Sequence, residues 1–244
     1  AYDQYGRGRV SNFLRSFNLL NMRFSVDGQD LGAKDITQMK QSLDMHHASF
    51  TTSFDYLDKA AISYTYYALR ELPFTVLMDI SVTAKKDIEI TPASVMEAPD
   101  ALRDVQNYYN EIDRPHVLIS LLTSEAKSPT GKLTMCASNT FLFNEPHGSE
   151  PRVIHEMWDN NLHLMKFYKK IRAGETYHFS IAGSSITSAH HDDPLNEAER
   201  LTIFAKLQGR DRLIQFHNRA WDELWKSDIV IEGDEQSQQD VHSM

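Results

Sequence analysis

Several stretches of the sequence carry residue types with chemical capacity. His190-His191-Asp192-Asp193 sets four metal-ligand types in a row, and His46-His47 adds two more. A metal ion needs donor atoms that converge on one point, adjacent residues seldom do so, and no helical His-x-x-x-His pair is present. The tandem histidines therefore read as polar loop residues, His190-His191 leading into the cap of a helix. His217 falls on the apolar face of a helical pattern, where an imidazole is expected to be buried and bonded to a backbone carbonyl. Gly183-Ser184-Ser185 lacks the second glycine of a nucleophile elbow. Cys136 sits in the strand pattern Leu133–Ala137 and reads as packing. No glycine loop followed by a lysine offers to cradle a phosphate. Carboxylates are plentiful, but a pair facing each other across a sugar is not visible in a linear sequence. Tyr67, Tyr108, Tyr109 and Trp158 are of the type that stacks on sugar rings, and equally of the type that lines a core or its rim. These patterns assign no catalytic, cofactor-binding or metal-binding residue, and no cofactor.

The composition narrows the class of protein. Apolar residues make up 41% and charged residues 24% of 244, the balance of a globular chain with one large domain or a domain plus an appendage. A net charge of −9 opposes binding to nucleic acid or to an anionic membrane surface. No run approaches the roughly 18 apolar residues that span a bilayer. A single cysteine excludes an intramolecular disulfide framework and leaves the compartment open. Ala1 stands where an initiator Met would, and Tyr2-Asp3 reads as the middle of a segment, so a preceding leader is compatible with the sequence and the location is cytoplasmic, periplasmic or secreted.

The elements that would position these residues are mostly strands. Tyr5–Arg9 is an Arg/Gly run that reads as a surface loop. Leu20, Met22, Phe24 and Val26 alternate with polar residues, and Asp27-Gly28 ends that strand in a turn. Strands are predicted around Phe50–Tyr56, Ile62–Ala68 and Phe74–Val82, and over 87–91, ending at Pro92. Between Ala93 and Pro115 the rhythm breaks. Ala101, Leu102, Val105, Tyr108, Tyr109 and Ile112 suit a short helix, and a long loop is the alternative. Strands resume at 117–122, 132–137, 140–143, 153–157, 162–168 and 176–181. So many short strands indicate a sandwich or a barrel.

The pattern then changes to a helical period. Asp192-Asp193-Pro194 opens a helix through Leu201, Phe204, Ala205 and Leu207 to Gly209, its C-cap. A second helix, 211–226, is strongly amphipathic. Leu213, Phe216, Ala220 and Leu224 should face the strands, with His217 near the centre of the buried arc and Trp221 and Trp225 toward its edge. After Gly233 a further helical pattern begins at Val241 and Met244, where the sequence stops in mid-element. This segment is expected to be a junction to another domain.

At Leu43-Asp44-Met45, at Ala68-Leu69-Arg70-Glu71-Leu72-Pro73, and along His217…Ala220-Trp221…Leu224-Trp225…Asp228-Ile229…Ile231-Glu232-Gly233-Asp234, the sequence resembles glycoside hydrolase family 65. That family includes maltose, trehalose and kojibiose phosphorylases and related hydrolases. The resemblance implies a large antiparallel β-sandwich, the galactose mutarotase-like supersandwich, over residues 1–192. It implies a helical linker of two α-helices over 193–244, leading to an (α/α)6 catalytic barrel beyond Met244. The family's catalytic glutamate and, in its phosphorylases, its phosphate site lie in that barrel, so no residue here inherits either role. The implied function is that of a non-catalytic N-terminal domain in an inverting enzyme that hydrolyses or phosphorolyses α-linked glucosyl disaccharides. Such a domain packs on the barrel and shapes its active-site mouth, with His217, Trp221 and Trp225 as the expected interface. The implied partners are the barrel, an α-glucoside, inorganic phosphate if the parent is a phosphorylase, and a second copy in a homodimer. Two rival readings are a free-standing carbohydrate-binding module and an aldose epimerase-like enzyme. An exposed tryptophan helix argues against the first, and poorly placed histidines argue against the second.

Overall fold

A computed structural model describes residues 2–4 and 11–243, and these described residues form sixteen strands and three α-helices. The strands are β1 (Tyr2–Gln4), β2 (Ser11–Phe13), β3 (Met22–Val26), β4 (Gln29–Asp30), β5 (Ile36–Asp44), β6 (Ser49–Tyr56), β7 (Ala60–Ala68) and β8 (Thr75–Ala84). There follow β9 (Ile88–Glu97), β10 (Arg103–Arg114), β11 (Val117–Lys127), β12 (Thr134–Phe143), β13 (Ile154–Met157), β14 (Leu162–Lys166), β15 (Lys169–Ile171) and β16 (Thr176–Thr187). The helices are α1 (Pro194–Gln208), α2 (Arg210–Trp225) and α3 (Glu235–Ser243). The Arg/Gly run Tyr5–Arg9 lies outside the described residues.

Eight strands form one antiparallel sheet in the order β10-β11-β12-β16-β8-β7-β6-β5. A smaller antiparallel sheet runs β13-β14-β9-β3-β4, with β15 also pairing β9. The two sheets face each other as a sandwich, the first of the two architectures that strand spacing allows. Phe24, Val26, Ile90, Met96 and Met165 of the small sheet meet Ile62, Ile80, Val82, Phe141, Phe179 and Ile181 of the large one in a single core. Phe167, fully buried, stands edge-on to Phe141 at 5.1 Å, Phe143 at 4.9 Å and Phe179 at 5.1 Å, so one ring joins the layers. Burying each such side chain contributes about 1.5–3 kcal/mol.

One chain of paired polar groups links the two sheets. His163 on β14 hydrogen-bonds through Nε2 to Ser124 Oγ on β11 at 2.8 Å. Ser124 donates to Asn107 Oδ1 at 2.6 Å, so the imidazole is the donor to Ser124. His163 Nδ1 then accepts from His155 Nε2 at 3.3 Å, and His155 lies flat on Tyr109 with ring centroids 4.6 Å apart. Burial, reinforced by the charge that His155 would carry, lowers the His163 pKa to about 4.

Three elements differ from the sequence expectation. The 103–114 segment is neither helix nor loop but strand β10, paired along its length with β11. Its helical apolar spacing is overridden by a tight Pro115-His116 turn and by β-favouring Val105, Tyr108, Tyr109 and Ile112. Strand β9 does not end at Pro92 but continues to Glu97. Pro92, which lacks an N–H, sits where β9 passes from pairing with β15 to pairing with β14. Strand β5 carries almost no buried side chain, and its pattern offered nothing to detect.

Helix α1 covers the outer face of the large sheet. Asp193 caps it by accepting from the Asn196 backbone N–H at 3.2 Å, and Pro194 starts it. Ala198, Thr202 and Ala205 are its fully buried residues. Small side chains at this spacing let the helix sit close to β12 and β16, which are therefore buried on both faces. Ser184 Oγ donates to Ala198 O at 2.6 Å, and Thr202 Oγ1 donates to Ser138 O at 3.1 Å. Gly183 is required by close approach, since a Cβ there would stand 2.7 Å from Ser138 O. The larger apolar residues of α1, Phe204 and Leu207, point outward and are 46% and 58% exposed. Among the described residues no helix is long and apolar enough to cross a membrane.

Candidate functional site

The chemistry-bearing side chains converge at the turn between β5 and β6, under helix α2. Gly209, with φ 76°, turns the chain from α1 directly into α2. Arg210 at the foot of α2 forms a two-pronged pair with Asp79 of β8, Nε to Oδ1 at 2.6 Å and Nη2 to Oδ2 at 2.7 Å. Leu213 fills a second apolar cluster with Leu69, Leu77, Leu142, Ala182 and Ala205. These contacts fix the foot of α2 on the outer face of the large sheet.

Farther along, α2 meets the turn. His217 is 1% exposed, as expected, and both its ring nitrogens are bonded to protein. Nδ1 accepts from the Arg70 backbone N–H at 3.2 Å, so Nε2 carries the hydrogen and donates to His47 O at 2.6 Å. Burial holds this imidazole below its ordinary pKa, against the His47 carbonyl, which favours the charged form. Trp225 Nε1 donates to His46 O at 2.6 Å, and its ring lies nearly parallel to His46 with centroids 5.8 Å apart. Trp221 sits under the Arg70 guanidinium at 4.9 Å.

The expected orientation of α2 needs correcting. Phe216 and Ala220 are only half-buried, and Leu224 is 44% exposed. The buried arc runs instead through Leu213, Ile214, His217, Trp221 and Trp225. The helix is rotated toward His217 and Trp225 because the turn supplies two backbone carbonyls, His47 O and His46 O, that an imidazole or indole N–H can satisfy and a leucine cannot. His217, Trp221 and Trp225, assigned from the sequence to a domain interface, are turned toward this chain's own strands.

The turn itself is built by Asp44. Its carboxylate accepts the backbone N–H of His46 at 2.9 Å and of His47 at 3.1 Å, and Oδ2 accepts from His47 Nδ1 at 3.1 Å. The His47 N–H holds Asp44 below the usual carboxylate range. Ala48, at φ 45°, reverses the chain. In this bend the two histidines do not alternate as they would along a strand; their rings lie edge to face, 4.6 Å apart. Both reach Asp222 Oδ1 on α2, His46 Nε2 at 3.0 Å and His47 Nε2 at 3.5 Å. The other tandem behaves differently. His190 and His191 pack around Phe74, and Asp193 is committed to capping α1.

Of the remaining sequence candidates, Ser184 is buried and bonded to α1, and Cys136 is fully buried with its thiol pKa pushed up by burial. Trp158, 57% exposed, lies under the Arg23 guanidinium at 4.7 Å. The convergence of His46, His47 and Asp222 escaped sequence reasoning because the pair and the carboxylate are separated by about 175 residues. The only local sign was an Asp placed before a tandem histidine in a turn.

The sequence model of the glycosyl hydrolase family 65 N-terminal domain matches residues 2–224. Over all 244 residues the chain is 69% identical to a kojibiose hydrolase of Mucilaginibacter mallensis and 48% identical to a kojibiose hydrolase of Flavobacterium johnsoniae. It spans 36% of the length of each of these curated relatives. A solved structure described as "Putative kojibiose phosphorylase from human microbiome" superposes with a TM-score of 0.67 at 15% identity, over 93% of this chain and 30% of that one. At that identity the likeness is one of fold.

Proposed function

Since the chain belongs to glycosyl hydrolase family 65, as the N-terminal domain of that family, we propose that it serves as the non-catalytic domain of an enzyme that hydrolyses kojibiose, a disaccharide of two α-linked glucose units. One observation carries this reading: the full chain aligns with about a third, 36%, of two kojibiose hydrolases. The acid that protonates the leaving oxygen, and the base that activates water on the opposite face of the sugar, then belong to the remainder of the parent enzyme. The domain's work is to seat the catalytic barrel and to help shape the mouth of its active site.

The exposed apolar residues supply a surface for that seating. Phe204 and Leu207 on α1, Leu224 on α2, and Ile229 and Val230 beyond it are 44–72% exposed. Exposed apolar side chains on consecutive elements suit a docking surface. We assign the barrel contact to these residues rather than to His217, whose imidazole is already satisfied. Trp221 and Trp225 then form the inner border of that contact.

The test compares this chain with the full-length enzyme that contains it, by glucose release from kojibiose. Activity is expected only in the full-length enzyme. Turnover by this chain alone, abolished by a point substitution within it, would overturn the assignment.

A further inference from the structure

We propose that His46, His47 and Asp222 bind a divalent cation of the zinc type, which clasps the β5–β6 turn to helix α2. The argument begins with hydrogens. An ionised carboxylate only accepts, so the 3.1 Å contact with Asp44 Oδ2 places the His47 hydrogen on Nδ1. In the neutral ring Nε2 is then a lone pair, and it faces a carboxylate oxygen, Asp222 Oδ1, at 3.5 Å. Two acceptors facing each other repel unless a cation lies between them. His46 Nε2, 3.0 Å from the same oxygen, turns the pair into a three-cornered donor set.

The geometry suits an ion. All three donor atoms lie within 4.8 Å of one another. Zinc binds imidazole nitrogen and carboxylate oxygen at about 2.0–2.2 Å, and tetrahedral angles then put neighbouring donors roughly 3.3 Å apart. The observed separations of 3.0 and 3.5 Å straddle that value. The Asp44–His47 contact is the carboxylate–histidine arrangement that fixes the tautomer and direction of a metal-bound imidazole. Two imidazoles and one carboxylate favour zinc over calcium or magnesium, which take oxygen ligands. Three protein ligands leave a fourth position toward solvent, as the half-exposed His46 and Asp222 side chains require.

The main rival is a proton on His47, which would make the site a plain ion pair; zinc titration separates the two. Chelator-stripped protein is titrated with Zn²⁺ by calorimetry and with Co²⁺ by visible absorption. One equivalent should bind, and Co²⁺ should show the intense d–d bands of a tetrahedral site. His47→Gln and Asp222→Asn should each weaken binding by roughly a hundredfold and abolish the bands, while Asp44→Asn, which removes only the orienting carboxylate, should weaken it roughly 10–100-fold. His190→Gln should change neither. Circular dichroism of each variant separates lost binding from lost folding, since all the substituted side chains are partly or largely exposed. Absence of Zn²⁺ binding to the unsubstituted protein would overturn the proposal, as would binding unchanged in His47→Gln and Asp222→Asn.

Discussion

The two helices on the outer face of the large sheet are held by different physics. Helix α1 is seated through Ala198, Thr202 and Ala205, fully buried, with two hydroxyls satisfied by backbone carbonyls. The outer half of α2 is held by an imidazole, an indole N–H and a carboxylate, all directed at one turn whose groups are half in water. A seat of the first kind depends on shape and gives up its energy only on unfolding. A latch of the second kind depends on hydrogen-bond and charge partners, which a point substitution, a proton or an ion can change without disturbing the sandwich.

The predictions follow that contrast, beginning where the effect is largest. Leu213, 3% exposed, belongs to the dry seat although it lies on α2. Leu213→Ala should cost about 3–4 kcal/mol in a urea melt. Half-buried Phe216 should cost about 1 kcal/mol when cut to alanine. Equal losses would erase the distinction between foot and tip.

Acid tests the dry interior next. His163 is fully buried and its folded pKa is about 4, below the ordinary value of 6.5. Below pH 6.5 the unfolded chain takes up a proton that the folded chain refuses, so stability should fall as the pH drops from 6.5 to about 4 and then level off. The loss from this group should be about 3 kcal/mol. Melts across that window, repeated with His163→Gln, should show a shallower slope in the variant. An unchanged slope would place the acid sensitivity elsewhere.

At the border between the two regions, His217→Ala strands the Arg70 N–H and the His47 carbonyl. The expected cost is about 2 kcal/mol, with only a small part from lost apolar contact. Trp225→Phe keeps an aromatic ring, though a smaller one, and removes the bond to His46 O, and should cost about 1 kcal/mol. In the full-length enzyme proposed above, the same substitution should cost more if the proposed barrel covers this edge. Paired melts in the two contexts would show it, and equal costs would confine the latch to this chain.

The sequence disclosed the elements whose partners are signalled locally. Met22–Val26 and Ser49–Tyr56 read as strands because their side chains alternate between core and water. The start of α1 was visible in Asp193-Pro194, and its end in Gly209. Where pairing at a distance decides the outcome, the reading failed. Strand β10 looked helical by spacing until β11 was there to pair with it. Strand β5 has a polar pattern because neither of its faces is covered. The face of α2 was misjudged by about the width of one residue, since apolar content alone cannot show that two backbone carbonyls await its outer half. The tandem histidines could be weighed in the sequence only as chain neighbours; in the fold the bend at Ala48 turns both side chains toward one carboxylate.

The strand order of the large sheet also sets a timetable. Strands β5–β8 form one meander and β10–β12 another, and they are joined only by β16, which pairs with β12 on one side and β8 on the other. Until Thr176–Thr187 has been synthesised, each half carries an open edge of unpaired backbone. The late strand must pair with β12 and also with β8, about 100 residues earlier, and closing such long loops slows folding, so refolding should be slow for a chain of this size. During synthesis the half-sheets are the species most exposed to edge-to-edge association. The polar, water-facing β5 and the mostly exposed β10 protect the outer edges, while β8 and β12 wait open at the centre.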